Sequence, residues 1–325
     1  MAGSYSHGES VKILLIGGYP RSGSTLLDRV LGELDGFVSL GEVRQVWSEG
    51  WRDNQLCGCG NRLRDCAFWR SVAGRTWGGE DPRVLQQILT LKQRVDRWWR
   101  VPQFALGAVS PRFRQDLGSY AGWLSRLYDA VSSASAAKVI IDSSKDISHA
   151  YVLTALPSRF QVFLVHLVRD SRAVAFSSAT NKFDPGTGRS MKRAGVLRTS
   201  LEWDLVNLLT WAIGRDHSAY LRLRYEDFVT DPRGSISRIL TFLNESPRAL
   251  PIDEGGLVSL GVSHTVSGNP MRFHRGTLSI RADEAWRVRI RRRDRMLVSA
   301  MTWPTQVWLR RASHVVLRCA SPGRP

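Results

Sequence analysis

A short apolar run, Val11-Lys12-Ile13-Leu14-Leu15-Ile16, leads into Gly17-Gly18-Tyr19-Pro20-Arg21-Ser22-Gly23-Ser24-Thr25 and then into Leu26-Leu27-Asp28-Arg29-Val30-Leu31. The first segment reads as a buried strand and the last as a helix start. Strand, glycine-rich turn and helix in that order is how a backbone builds a phosphate cradle. The turn's N–H groups and the helix N-terminus both face the anion. The spacing Gly18-x4-Gly23-Ser24-Thr25 nearly matches the P-loop pattern G-x4-G-K-[ST]. Ser24 takes the lysine's place, and the loop's positive charge has moved forward to Arg21. Such a loop suits a grip on a phosphate-like group and makes a poor ATPase. A glycine- and serine-rich turn is also common in α/β proteins, so the loop alone leaves an anion site and a plain turn both open.

A second element bears on that choice. Phe163-Leu164-Val165-His166-Leu167-Val168 is another buried strand, and it ends in Arg169-Asp170-Ser171-Arg172 before running on to Ser177. Arg169 is placed at the strand's carboxyl end, with Ser177 two helical turns further on. Ligands of open α/β sheets bind at the carboxyl ends of strands, so both loops are expected to face one crevice.

Strands and helices alternate along the chain, which predicts a mostly parallel central sheet with helices on both faces. Strands are expected over 11–17, 138–142, 161–168 and 221–225, with a short one over 38–40. The 325 residues, 43% of them hydrophobic, suffice for a sizeable core. We read 8–317 as one domain and 318–325 as a frayed tail. From 84 to 134 the pattern is helical, and its Trp98, Trp99, Trp123 and Tyr128 are expected in the core. The stretch 181–200, rich in Gly, Lys and Arg, reads as a mobile loop. A last amphipathic helix is expected from Pro304 to about Leu317. Met1 to Ser10 has no signal-peptide pattern, and no run reaches the length of a membrane span, so a cytoplasmic location is expected.

Four segments in order resemble the sulfotransferases that use 3'-phosphoadenosine-5'-phosphosulfate (PAPS). Tyr19 to Leu27 is similar to the family's loop for the 5'-phosphosulfate. Val168 to Ser177 is similar to its 3'-phosphate element, with an arginine and a serine eight apart. Leu223-Arg224-Tyr225-Glu226-Asp227-Phe228, followed by Asp231-Pro232, resembles its Tyr-Glu-Asp-Leu segment. His264 to Arg272 resembles the C-terminal loop that closes over the nucleotide. The match spans about residues 11 to 290 and is nearest the tyrosylprotein and carbohydrate types, in a bacterial form. It implies a P-loop-NTPase-like three-layer α/β fold, PAPS as donor, no required metal, and a hydroxyl- or amine-bearing acceptor. On this resemblance Ser22, Gly23, Ser24 and Thr25 hold the 5'-phosphate, while Arg169 and Ser177 hold the 3'-phosphate. Tyr225, Ser267, Asn269 and Arg272 close over the nucleotide. Arg275-Gly276 departs from the Arg-Lys-Gly form of cytosolic members, which leaves the partner of Arg275 open.

Sulfuryl transfer needs cations at the developing charge and a base for the acceptor proton. Arg21 is the first cation, suited to paired hydrogen bonds with two sulfuryl or phosphate oxygens. Lys145, in the polar turn after Val139-Ile140-Ile141-Asp142, is the second; an ion pair with Asp142 or Asp146 is its plainer reading. Glu42, after Val38-Ser39-Leu40-Gly41, resembles a glutamate that serves as base in the tyrosylprotein type; a pair with Arg44 or another arginine is its plainer reading. His149 and His166 are rival bases, and His166 in its apolar strand reads as a core histidine. Acceptor-pocket walls are expected from 44–135 and 181–200.

The net charge of +17 keeps nucleic acid and anionic membrane surfaces in view as partners. No helix-turn-helix or aromatic–basic platform is evident, so nucleic acid is not expected, while peripheral membrane contact stays open. The arginines from 287 to 295 read as a solvated helix face. A P-loop kinase is the other alternative, with Asp142 as its strand-end magnesium ligand. Cys57, Cys59 and Cys66 form a local cluster. Three thiolates bind zinc if a fourth ligand comes from elsewhere, but the spacing is C-x-C and no histidine lies between His7 and His149. The plainer reading is a reduced turn cluster with Trp69 packed beneath it.

Overall fold

The computed structural model describes residues 10–79, 81–105, 107, 109–216, 219–247, 249–311 and 315–317. Ten strands follow in chain order: β1 Val11–Gly17, β2 Phe37–Ser39, β3 Val139–Lys145, β4 Phe160–Val168, β5 Phe183–Asp184, β6 Arg189–Ser190, β7 Ala219–Arg224, β8 Leu257–Leu260, β9 Gly276–Ser279 and β10 Val315–Leu317. Six of them form one sheet in the order β10-β7-β4-β1-β3-β2. All its pairings are parallel except β10 on β7. Strand β1 lies at the centre, and its Ile13 to Ile16 are fully buried, as a strand covered on both faces must be. One apolar cluster packs Trp47, Trp69, Tyr120 and Leu124 against one face. The opposite face packs Leu27, Val30, Phe228 and Ile239. This is the three-layer α/β arrangement that the alternation of elements predicts.

The order β4-β1-β3 brings the carboxyl ends of three central strands side by side. Gly17 pairs with Lys145 on one side and with His166 on the other. The glycine loop, the Lys145 turn and the Arg169 turn therefore open onto a common edge.

Several expectations are corrected. Trp98 and Trp99 are 70% and 53% exposed. They stand on a single 3-10 turn between the helices Pro82–Val95 and Val101–Ala105, so no continuous helical face carries them inward. Tyr128 is buried as expected. The last helix runs Arg292–Arg311 with Pro304 inside it, and Val315–Leu317 is a strand. The hairpins β5–β6 and β8–β9 were not legible, being only two to four residues long. The stretch 181–200 contains β5, β6 and the start of the helix Val196–Asp216. The tail 318–325 lies outside the described residues.

Two buried groups beneath the site titrate in opposite senses. Asp28, on the first helix, accepts from Ser143 Oγ at 2.9 Å, and burial raises its pKa to about 7. His166 bonds Tyr220 and Asn207 at 2.8 Å each, and burial lowers its pKa to about 4. From about pH 4 to 7 the folded chain keeps a proton on Asp28 that an unfolded carboxyl releases, so this contribution to stability falls as pH rises. From about pH 4 to 6.5 the unfolded chain takes up a proton that folded His166 refuses, so this contribution rises with pH. Asp28→Asn keeps the shape and removes only the first. On acidification from pH 6.5 to 4 the variant should lose on the order of 3 kcal/mol more stability than the parent. Urea unfolding at both pH values measures this, and equal acid slopes would show that Asp28 titrates as an ordinary carboxyl.

Candidate active site

The glycine loop adopts backbone that only its own residue types tolerate well. Gly18 has φ +118°, and a Cβ there would collide with the Leu167 carbonyl oxygen. Gly23 has φ +92°, and a Cβ would come 2.5 Å from Tyr225 Cδ2. Gly23 is also the N-cap of the helix Ser24–Leu31, and it supplies no side-chain cap. The helices starting at Pro82, Ile147, Ser171 and Pro232 are capped instead by Asp81, Asp146, Asp170 and Asp231. The loop helix alone of these leaves its first N–H groups without a side-chain cap, and its dipole favours an anion there.

A cavity of about 190 Å³ opens in front of that helix end. It brings together Arg21, Gly23, Ser24, Thr25, Glu42, Lys145, Arg169, Ser177, Tyr225 and Asn269. Ten of the thirteen site residues read from the sequence therefore line one space. Ser22 is buried, Ser267 lines a neighbouring cavity, and Arg272 is buried with Nη1 donating to the Thr265 carbonyl at 3.1 Å. These three do not line it. Lys182 and Met191, from the stretch 181–200, and Met271, from the segment His264 to Arg272, also line it, though none was singled out as a site residue. Lys182 stands just before the β5–β6 hairpin, in the stretch 181–200 expected to wall a pocket, but beside the glycine loop.

Glu42 and Lys145 hold one another. Lys145 Nζ donates to Glu42 Oε1 at 2.7 Å and to the Ser143 carbonyl at 2.7 Å. Neither plainer reading applies: Arg44 pairs with Asp96 and Asp146, and Asp142 is engaged by Tyr128 and His149. Lys145 has φ +62°, a left-handed conformation at the end of β3 that is uncommon for a long side chain. Glu42 is located by main-chain bonds: its N–H donates to Val266 O at 3.1 Å, and Val266 N–H donates to Leu40 O at 2.7 Å.

Arg21, also left-handed at φ +70°, has a buried Nη1 with no partner among the described residues. Burial lowers its pKa, and Glu42 acts in the opposite direction. Arg169 Nη1 donates to the Arg21 carbonyl at 3.0 Å, which ties the two loops together. The Arg169 guanidinium lies 4.5 Å from the Tyr225 ring centroid and pairs with Asp283 at 3.2 Å. Glu226 accepts from the Asp170 N–H at 2.8 Å, so the Tyr225-Glu226 pair braces both the glycine loop and the arginine turn.

His149 is fully buried with Nε2 2.8 Å from Asp142, and His166 is sealed in β4. Neither rival base reaches the cavity. Asp142 is buried as well, and Tyr128 and His149 both contact its Oδ2 at 2.8 Å. It is unavailable as the strand-end magnesium ligand a P-loop kinase wants.

A sequence profile of the sulfotransferase family matches residues 14–247, and the chain belongs to that family. No curated protein matches it. Among solved structures it is similar to a sulfotransferase domain from the curacin biosynthetic pathway. That match has 14% identity and a TM-score of 0.50, and covers 91% of this chain and 98% of that one. A sulfotransferase domain from the Synechococcus PCC 7002 olefin synthase matches at 20% identity with a TM-score of 0.45, covering 92% and 97%. Within the described residues, no helix is long and apolar enough to cross a membrane.

The cradle yields a direct test. Gly23→Ala forces a side chain into left-handed backbone, at about 1–2 kcal/mol, and drives its methyl into Tyr225. The variant should be destabilised by at least that amount in denaturant unfolding. Adding Tyr225→Ala should recover the steric part and leave the backbone part. A single variant as stable as the parent would remove the conformational role assigned to Gly23.

Proposed function

We propose that this chain transfers a sulfuryl group from PAPS to a hydroxyl-bearing acceptor by in-line displacement. One observation carries the reading. Four cations, Arg21, Lys145, Arg169 and Lys182, and a single carboxylate, Glu42, surround the uncapped helix end in one cavity. The helix end and Ser24 and Thr25 suit the 5'-phosphate, and Arg169 with Ser177 suits the 3'-phosphate. Arg21 and Lys145 are left for the charge that develops between phosphate and sulfur.

In this reaction the acceptor oxygen forms a bond to sulfur as the bond from sulfur to the 5'-phosphate oxygen breaks. The bond electrons leave with the nucleotide bisphosphate. Glu42 takes the acceptor proton, and Lys145, moving off Glu42, meets the leaving oxygen. Positioning and charge stabilisation supply most of the rate, as in phosphoryl transfer. Arg21 and Lys145 fill the place that magnesium fills in kinases, so added magnesium should leave turnover unchanged.

The acceptor's route is the second, larger cavity of about 850 Å³, which shares Glu42, Met191 and Gly268 with the first. Glu49, Asp53, Asp184, Arg62, Arg189 and Lys192 line it. This mixed-charge wall favours a polar acceptor over a flat apolar phenol or steroid.

Binding and chemistry are tested separately. Arg169→Ala should weaken the 3'-phosphorylated nucleotide about tenfold to a hundredfold, with adenosine 5'-phosphosulfate little changed, because a charged hydrogen bond is worth ~1.5–3 kcal/mol. Asp283→Ala should act oppositely, since Asp283 occupies Arg169 in the free protein. Equal losses for both nucleotides in Arg169→Ala would take that residue out of the 3'-phosphate site. For the chemical step, Glu42→Gln should bind nucleotide normally while single-turnover transfer of radiolabel from PAPS falls ~10²–10⁴-fold. A near-normal rate with an unactivated alcohol would place the base elsewhere.

A further inference from the structure

We propose that Cys57, Cys59, Cys66 and His264 form a structural zinc site that fastens the loop closing over the cavity to the body of the chain. Their three sulfurs and one imidazole nitrogen all lie within 4.8 Å of one another. Cys59 Sγ is 3.7 Å from Cys66 Sγ, and His264 Nδ1 is 3.7 Å from Cys57 Sγ and 3.2 Å from Cys66 Sγ. Zinc at about 2.3 Å from sulfur and about 2.0–2.1 Å from nitrogen, with tetrahedral angles, sets sulfur–sulfur edges near ~3.8 Å and sulfur–nitrogen edges near ~3.6 Å. The observed edges are close to those values. All three cysteines are free, and the 3.7 Å between Cys59 and Cys66 sulfurs is far from the about 2.05 Å of a disulfide.

The donors come from two remote segments, and the backbone around them is arranged to present them. The turn from Cys57 closes with Gly60 N–H on the Cys57 carbonyl and Cys57 N–H on the Asn61 carbonyl, both at 2.8 Å. Cys66 stands at the N-cap of the helix Ala67–Trp77. The imidazole is clamped: Phe68 stacks on it at 4.7 Å and 12°, and Trp69 Nε1 donates to the His264 carbonyl at 2.8 Å. Arg275 donates to the Cys59 carbonyl at 2.7 Å, which places a cation beside a centre of net negative charge. Three thiolates and an imidazole select zinc over harder ions. With four protein ligands no coordination position is open, so the site is structural and not catalytic.

The site's place in the fold gives it a consequence. His264 begins the strand-like segment through Val266 that hydrogen-bonds Leu40 and Glu42. The same segment continues into Gly268 and Asn269 on the cavity wall. A metal at His264 therefore holds both the base and the loop above the nucleotide.

The measurement is independent of sulfuryl transfer. Protein purified without a polyhistidine tag and without added metal should carry about one zinc per chain by plasma mass spectrometry. Cobalt(II) taken up in its place should give the intense visible bands of a tetrahedral thiolate site. Cys59→Ser and His264→Ala should lose stoichiometric zinc, His264→Cys should keep it, and Cys319→Ser should keep it. Because ligand variants can misfold, the parent protein decides. Stripping zinc should lower its melting temperature, and zinc ion, not magnesium, should restore it. A parent that carries no zinc, gains no thermal stability from added zinc and shows no cobalt bands would overturn the proposal, as would loss of zinc in Cys319→Ser.

Discussion

The site depends on one electrostatic arrangement: a helix whose N-terminus is left without a carboxylate cap. At the helices starting at Pro82, Ile147, Ser171 and Pro232 an aspartate, Asp81, Asp146, Asp170 or Asp231, satisfies first-turn N–H groups. At Ser24 a glycine in left-handed backbone takes that place. The unpaired donors are stable only if they face solvent or an anion. Cations gathered at the same opening make an anion the better partner. Tyr225 supports the turn from below, Arg169 ties it to β4, and Asp283 pairs with Arg169.

The Glu42–Lys145 pair is the second constraint, and it belongs to the sheet order more than to either residue. Lys145 leaves the end of β3 in left-handed backbone, and Glu42 is held by main-chain bonds to Val266. The two side chains are in direct contact at 2.7 Å on the cavity wall. The C-terminal segment both locates Glu42 through main-chain bonds and supplies Gly268 and Asn269 to the cavity wall.

Much of this was readable in advance, and the limits are instructive. The loop from Gly17 to Thr25, the strands β1, β3, β4 and β7, and the turn at Arg169 carry local signals: apolar runs, glycines and polar residues at strand ends. Those are short-range properties of the chain. Trp98 and Trp99 were misplaced because their burial depends on which helical face survives, and a 3-10 turn removed that face. The final helix was misjudged at Pro304, since a proline is tolerated where tertiary packing holds the helix on either side. Lys182 was legible only as part of a pocket-lining stretch, and Asp283 had no signal.

By itself the sequence determined the class of fold and the strand, glycine turn and helix start at residues 11–31. Strand periodicity, glycine positions and the absence of a loop lysine all act within a few residues. Only the tertiary structure decided which charges pair, which histidines are sealed in the core, and where Cys57, Cys59 and Cys66 find a fourth donor. His264 is some two hundred residues from those cysteines along the chain and within van der Waals reach of them in space. Pairings of that kind follow from sheet order and loop closure, which are set by the burial of the whole core and written in no single stretch of residues.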